Sequence, residues 1–198
     1  GRVFINDWSG AHPGVWVMDP ASPSSSFVPV FSGLTKAASG LSSINGANVH
    51  GSIAHCWVIG TKEETKLYTF DEDYVDATAT SVGNLLQYNI GKLETPWQQV
   101  PSKVVYDDAL NGNLQQNMNS CIAPDGRGGW WISQYRAEDA ATIPSLIHVG
   151  DDGLVNFNSG KNPLLIENSV AGGMAVSYDG KKLAMGCKNE VKIFEVSF

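Results

Sequence analysis

Two Asp-Gly turns, each lying between short apolar segments, constrain the fold of this chain more than any other feature. The segments CIAPDGRGGWWIS (residues 121–133) and AVSYDGKKLAMG (residues 175–186) share this plan. Asp-Gly supplies the positive φ angles that tight hairpins require, so each segment predicts a β-hairpin. A further apolar segment follows each hairpin, at residues 145–149 and 191–196. Each pattern therefore predicts an antiparallel sheet of at least three consecutive strands.

The same rhythm of short strands extends along the whole chain and predicts an all-β protein. Runs rich in Val, Ile, Phe, Tyr and Trp alternate with Gly, Asp, Asn and Pro. They group into four units at about residues 1–33, 48–108, 117–160 and 171–198. A four-stranded antiparallel unit repeated radially is a β-propeller blade. We therefore expect one domain, a β-propeller of about four four-stranded blades, with a β-sandwich as the alternative.

The first and last predicted blades each lack one strand. No strand precedes Val3, and the chain stops after the third strand of the last blade. Propellers often close their ring by completing the last blade with an N-terminal strand. The missing strands predict that the chain is the C-terminal part of a longer propeller. The competing interpretation is a compact four-bladed propeller, for which the 198 residues would suffice.

The last two units carry a resemblance to known repeats. SCIAPDGRGGWWIS followed by SLIHVGDDGLVNF resembles repeats of bacterial β-propellers, including those on two-component regulators. GGMAVSYDGKKLAMGCKNEVKIFEV resembles a WD-repeat or YVTN-type blade, although the Gly-His and Trp-Asp signatures of true WD repeats are missing. The resemblance covers residues 117–198 and implies a propeller fold, not an activity.

Composition excludes several classes of partner. The net charge is −7, and no run of Lys or Arg occurs. Nucleic-acid binders carry basic stripes that displace counterions from phosphates, so this class is not expected. No apolar run reaches the 18 or more residues that a membrane span needs. The three cysteines form no CxxC pair and are expected to be buried free thiols that pack as small hydrophobes.

The lengths of the connections predict a working face. In a propeller, the short hairpins at residues 125–129, 150–153 and 179–181 lie on one face. The longer connections at residues 9–14, 71–84 and 135–144 lie on the opposite face, and loops on a rigid scaffold often carry function. Aromatic and Arg side chains dominate binding hot spots. The predicted ligand-binding residues are therefore Trp8, His12, Tyr74, Tyr135 and Arg136.

Catalytic and metal motifs are sparse. No HExxH, GxSxG, Walker A or GxGxxG pattern occurs, and no cofactor is predicted. Asp71, Glu72, Asp73 and Asp76 form an acidic run that lacks the Gly and Glu of an EF-hand, so a solvated loop is preferred to a cation site. The carboxylates that would suit a glycosidase pair are Asp7, Asp71, Asp73, Glu138 and Asp139.

These observations favour a non-catalytic binding module that is secreted, periplasmic or at the cell surface. Its expected partner is a protein or a glycan, recognised by the long loops of one face. The acidic excess of those loops favours neutral or cationic partners. The alternative is a propeller-type hydrolase or lyase that uses the loop carboxylates, with assistance from calcium.

Overall fold

The structure, a computed structural model of the chain, describes residues 2–7, 14–21, 28–29, 53–61, 64–73, 82–90, 102–108, 110–111, 120–134, 146–155, 169–187 and 189–197. The short β-branched and aromatic runs form thirteen strands there, and this part of the chain contains no helix. It also contains no helix of the length and hydrophobicity that a membrane crossing requires. The predicted all-β class is confirmed.

The strands form four antiparallel sheets in which each strand lies beside its neighbour in sequence. The first sheet contains β1 (Val3–Asp7), β2 (Gly14–Met18) and β3 (Val28–Pro29). The second contains β4 (Ile53–Gly60), β5 (Thr65–Asp73), β6 (Val82–Asn89) and β7 (Lys103–Asp107). The third contains β8 (Ser120–Pro124), β9 (Trp130–Gln134) and β10 (Leu146–Val149). The fourth contains β11 (Ser169–Val176), β12 (Lys182–Cys187) and β13 (Glu190–Glu195).

The chain divides into two compact units, each with its own core. The first comprises Gly1–Ala79 and Gly83–Val104, and the second comprises Thr80–Val82 and Val105–Phe198. Alternation along the strands places six buried apolar side chains of the first unit in one cluster, because every second residue faces the same side of a sheet. Its buried members are Val15, Val17, Leu67, Leu86, Tyr88 and Ile90.

In the second unit, the third sheet is buried on both faces. Ile122, Ile132 and Ile147 lie in register across the three strands of this sheet and are almost fully buried. The fourth sheet contacts the third through β11, which lies against β8 and β9. Leu183 and Met185 of β12 are fully buried on one face of the fourth sheet. Two successive sheets of this unit therefore share one apolar core.

Several predicted element boundaries differ from the structure. The predicted connection over residues 71–84 is entered by strands from both sides, because β5 continues to Asp73 and β6 begins at Val82. Acidic residues are depleted in strands only on average, so the acidic run concealed the end of β5 in the sequence. A fourth strand was also expected in the third unit, as in each four-stranded blade. The third sheet has three strands, and Val155 forms a single bridge with Val149, while residues 156–158 lie outside the described residues.

Candidate functional site

The residues that the sequence predicted for ligand binding lie outside the described part of the chain. These are Trp8, His12, Tyr74, Tyr135 and Arg136. Of the predicted carboxylates, Asp7 ends β1, and Asp71 and Asp73 lie in the last three residues of β5. Glu138 and Asp139 lie outside the described residues. The site that the structure does describe is at the other end of the sheets, at the hairpin turns.

Four turns are closed by the same hydrogen bond, in which an Asp Oδ1 accepts from the backbone N–H two residues later. The donors are Ala21 to Asp19 (3.0 Å), Arg127 to Asp125 (2.7 Å), Leu154 to Asp152 (2.9 Å) and Lys181 to Asp179 (3.1 Å). This is the Asx-turn by which Asp mimics a backbone turn. In three of them the residue after the Asp is a glycine with positive φ: Gly126, Gly153 and Gly180. The same turn chemistry therefore recurs at four places among the described residues.

Asp125 differs from the other three turn aspartates because it is buried, with 3% of its surface exposed. Its Oδ1 accepts a second hydrogen bond from the Gly129 N–H at 2.9 Å. Its Oδ2 lies 2.9 Å from Nε2 of His148, so the imidazole donates to the carboxylate. One side chain thereby fixes the turn between β8 and β9 and holds a residue of β10. The sequence places these two residues 23 positions apart.

The register of the third sheet explains why His148 lies beside this turn. Trp131 of β9 pairs with Ala123 of β8 and with His148 of β10, so the three lie in one row. The rings of Trp131 and His148 are 4.4 Å apart between centroids and are tilted by 43°. The imidazole is thus held by an indole face and by a carboxylate, with 20% of its side chain exposed. We call Asp125, Trp131 and His148 the turn cluster.

Among the described residues, the turn cluster presents the carboxylate–imidazole pair of a general-base dyad without a side-chain nucleophile in its own row of the sheet. In a Ser–His–Asp or Cys–His type of site, the imidazole activates a hydroxyl or thiol within hydrogen-bond reach. Ser133 and Cys121 lie on the same face as Trp131, but in the next row, and successive same-face positions are roughly 7 Å apart along a strand. Both are buried. Because Asp125 Oδ1 is also bound to two turn amides, the cluster is better suited to fixing structure than to chemistry.

The neighbouring turns pack closely around the turn cluster. A Cβ placed on Gly129 would lie 2.5 Å from Asp125 Oδ2 and from the Val149 carbonyl oxygen. A Cβ on Gly128 would lie 3.2 Å from the Asp151 side chain, and one on Gly180 would lie 3.2 Å from the Asp125 carbonyl oxygen. The turns of residues 125–129, 150–154 and 178–181 therefore lie together, in keeping with the expected common face of the short hairpins.

Asp179 shows the exposed form of the same turn. Its Oδ1 accepts from the Ser177 hydroxyl at 2.7 Å as well as from the Lys181 amide. These two hydrogen bonds, the Ser177 bond most strongly, lower the pKa of the Asp179 carboxyl. Ser177 Oγ in turn accepts from the Lys182 N–H at 2.9 Å. The turn is therefore fully bonded, but without the buried histidine partner of Asp125.

A second polar cluster joins the end of β7 to the turn after β10. The Asn111 side chain donates to the carbonyl oxygens of Asp107 (2.8 Å) and Gly153 (3.1 Å) and accepts from the Val155 N–H (2.8 Å). The Tyr106 hydroxyl donates to Asp108 Oδ1 at 2.5 Å, and both residues are buried. Burial, followed by the Asp108 charge, raises the pKa of Tyr106. All these groups link consecutive segments of the second unit.

Two further groups of the described chain bear on metal and thiol chemistry. The described residues contain no group of three or more His, Cys, Asp and Glu side chains that could hold a metal ion. His55 lies on β4, 6.4 Å from the Trp57 ring between centroids, and burial lowers its pKa. The cysteines are free, and Cys121 and Cys187 are buried as predicted. Cys56 is half-buried, and burial raises the pKa of its thiol to about 11.

Sequence reasoning missed the turn cluster as a unit. It predicted a turn at Asp125 but no link from that turn to Trp131 or His148. The signal in the sequence was the position of each residue relative to its turn. Trp131 is the second residue of β9, after the β8–β9 turn, and His148 is the second-last residue of β10, before the next turn. No protein-family model matches the chain, and neither the search of curated proteins nor the search of solved structures returns a match.

Proposed function

We propose that the chain is a non-catalytic binding module built on β-propeller blades, and that it recognises a protein or glycan outside the cytoplasm. The succession of separate antiparallel sheets, each a meander of consecutive strands, supports the blade interpretation. The repeated Asx-turns support it further, because equivalent hairpins recur in successive sheets.

The observation that carries the proposal is the contrast between the two ends of the third sheet. At one end, the turn between β8 and β9 is closely packed at Gly129, where an added Cβ would lie 2.5 Å from Asp125 Oδ2. The chain leaves β9 at Gln134, at the opposite end, and re-enters the sheet only at Leu146. A connection of this length at the end away from the tight turns supports ligand recognition there.

The chemistry of the tight-turn end supports a binding role over catalysis. Its buried carboxylate, Asp125, is fully engaged with two amides and His148. The residues that we propose for the contact are Tyr135 and Arg136, which directly follow β9, together with Trp8, His12 and Tyr74 from the other long connections. Tyr and Arg combine a large rigid contact area with planar hydrogen-bond donors, the properties of binding hot spots.

The test screens labelled protein against a glycan array and a displayed peptide library. For any ligand found, the variant Tyr135→Ala/Arg136→Ala should lower affinity at least about tenfold, the usual cost of a hot-spot truncation. The control is Arg127→Ala, an exposed cation at the opposite end, which should bind normally. Unchanged thermal melting shows that both variants fold. No ligand in either screen, binding lost only in Arg127→Ala, or hydrolysis of a bound glycan would contradict the proposal.

A further inference from the structure

The fourth sheet carries an exposed apolar face. Val191 and Ile193 of β13 each expose 67% of their surface. The register pairs Ile193 with Ala184 and Val191 with Gly186, so these residues share one face of the sheet. Ala175 of β11 pairs with Ala184 and is exposed as well. We call these five residues the outer face.

The other face of the same sheet is covered. Leu183 and Met185 of β12 are fully buried, and β11 contacts β8 and β9 of the third sheet. Among the described residues, the fourth sheet is therefore apolar on both faces but covered on only one. A contiguous exposed apolar patch on a folded protein marks an interaction surface. The outer face therefore offers a surface for a partner.

The outer face is shaped to fit a copy of itself. Strand β13 contributes the large side chains Val191 and Ile193, whereas β12 contributes Gly186 and Ala184. Since neighbouring strands lie about 4.8 Å apart, a ridge runs beside a shallow groove. A two-fold axis can be placed over the outer face, parallel to the strands and midway between β12 and β13. This axis would seat the ridge of each copy in the groove of the other. Such an isologous contact closes a dimer.

The charges at the end of the outer face fit the same axis. Lys182 and Glu195 form a cross-strand pair on this face, with Nζ and Oε1 3.6 Å apart, and both side chains are well exposed. The axis parallel to the strands places Lys182 of each copy opposite the partner's Glu195. A two-fold axis across the strands would instead stack this charged row on the row of Gly186 and Val191. Charge complementarity thus selects the first arrangement.

We propose that the outer face is the interface of a symmetric homodimer, in which two fourth sheets pack face to face about a two-fold axis parallel to β12 and β13. The interface is separate from the proposed ligand-binding loops and does not depend on the identity of their ligand. Its core is formed by Ile193 and Val191, and its polar end is formed by reciprocal Lys182–Glu195 pairs.

Sedimentation velocity of the whole chain provides the first test. Wild-type protein should be dimeric at about 100 µM, where association with a micromolar Kd is essentially complete. Ile193→Glu should raise the Kd at least about a hundredfold, because it buries an unpaired charge in the interface. Leu154→Glu is the matched control, because Leu154 is 53% exposed in a turn outside the outer face. A monomeric wild type, or a dimer that Ile193→Glu leaves intact, overturns the proposal.

Charge reversal tests the orientation of the two-fold axis. Lys182→Glu alone and Glu195→Lys alone each place like charges opposite one another twice, and each should weaken self-association about tenfold. An equimolar mixture of the two variants should form a heterodimer, because every cross-interface pair is then complementary. The double variant Lys182→Glu/Glu195→Lys should regain the wild-type Kd. A mixture no stronger than its components, with the double variant still weak, contradicts this axis.

Discussion

Asp125 shows how one carboxylate can take on roles that its sequence motif does not distinguish. Asp19, Asp152 and Asp179 each make the same kind of Asx hydrogen bond in their own turns. Only Asp125 is buried and also holds His148 from another strand. A buried acceptor satisfies donors that water cannot reach, so its removal leaves those donors without partners. The difference between these aspartates is therefore one of environment, not of motif.

Replacement of Asp125 and Asp179 separates these environments experimentally. Asp125→Ala should lower the free energy of unfolding by about 3 kcal/mol, because the Gly129 amide and the His148 imidazole lose their shared acceptor in a buried site. Asp179→Ala removes the same turn bond at an exposed position and should cost no more than about 1 kcal/mol. Urea denaturation at neutral pH measures both values. Equal losses for the two variants would show that the buried bonds to Gly129 and His148 add nothing.

At the scale of elements, the sequence predicted the hairpins, because their turns depend on local chemistry. Asp-Gly turns located the hairpins β8–β9 and β11–β12. The acidic end of β5 was missed, because charged residues favour loops only on average. The pairing of Trp131 with His148 was also missed, since the register between β9 and β10 depends on a connection whose length says nothing about alignment. Local propensity thus predicts which residues form strands, whereas the turn cluster depends on how β9 and β10 align with each other.

The β8–β9 turn offers a test of its close packing. Gly129→Ala should cost about 3 kcal/mol, because its methyl group would lie 2.5 Å from Asp125 Oδ2 and the Val149 carbonyl oxygen. Gly126→Ala, in the same turn, meets no atom within 4 Å and should cost about 1 kcal/mol, from its positive φ alone. Thermal melting of both variants measures the difference. The packing described here would be wrong if Gly126→Ala were the more damaging substitution.

At the scale of the whole molecule, the cysteines report on both units. Cys56 lies on β4 of the first unit, and Cys121 and Cys187 lie on β8 and β12 of the second. All three are free, so their reactivity measures burial and ionisation without interference from a disulfide. Cys121 and Cys187 are protected by burial. Cys56 is only half-buried, and its thiol is protected also by a raised pKa.

Alkylation by iodoacetamide, read by peptide mass spectrometry, should separate these forms of protection. The thiolate is the reactive form, and a pKa of about 11 leaves Cys56 almost entirely protonated at pH 8. Its modification rate should therefore rise about tenfold per pH unit from pH 8 to pH 10, beyond the pH at which an ordinary thiol levels off. Cys121 and Cys187 should react only as fast as their unit opens, and all three should be modified in denaturant without a reductant. Rapid modification of native Cys56 at pH 8 would contradict its burial on β4, and a single reactive thiol in denaturant would reveal a disulfide.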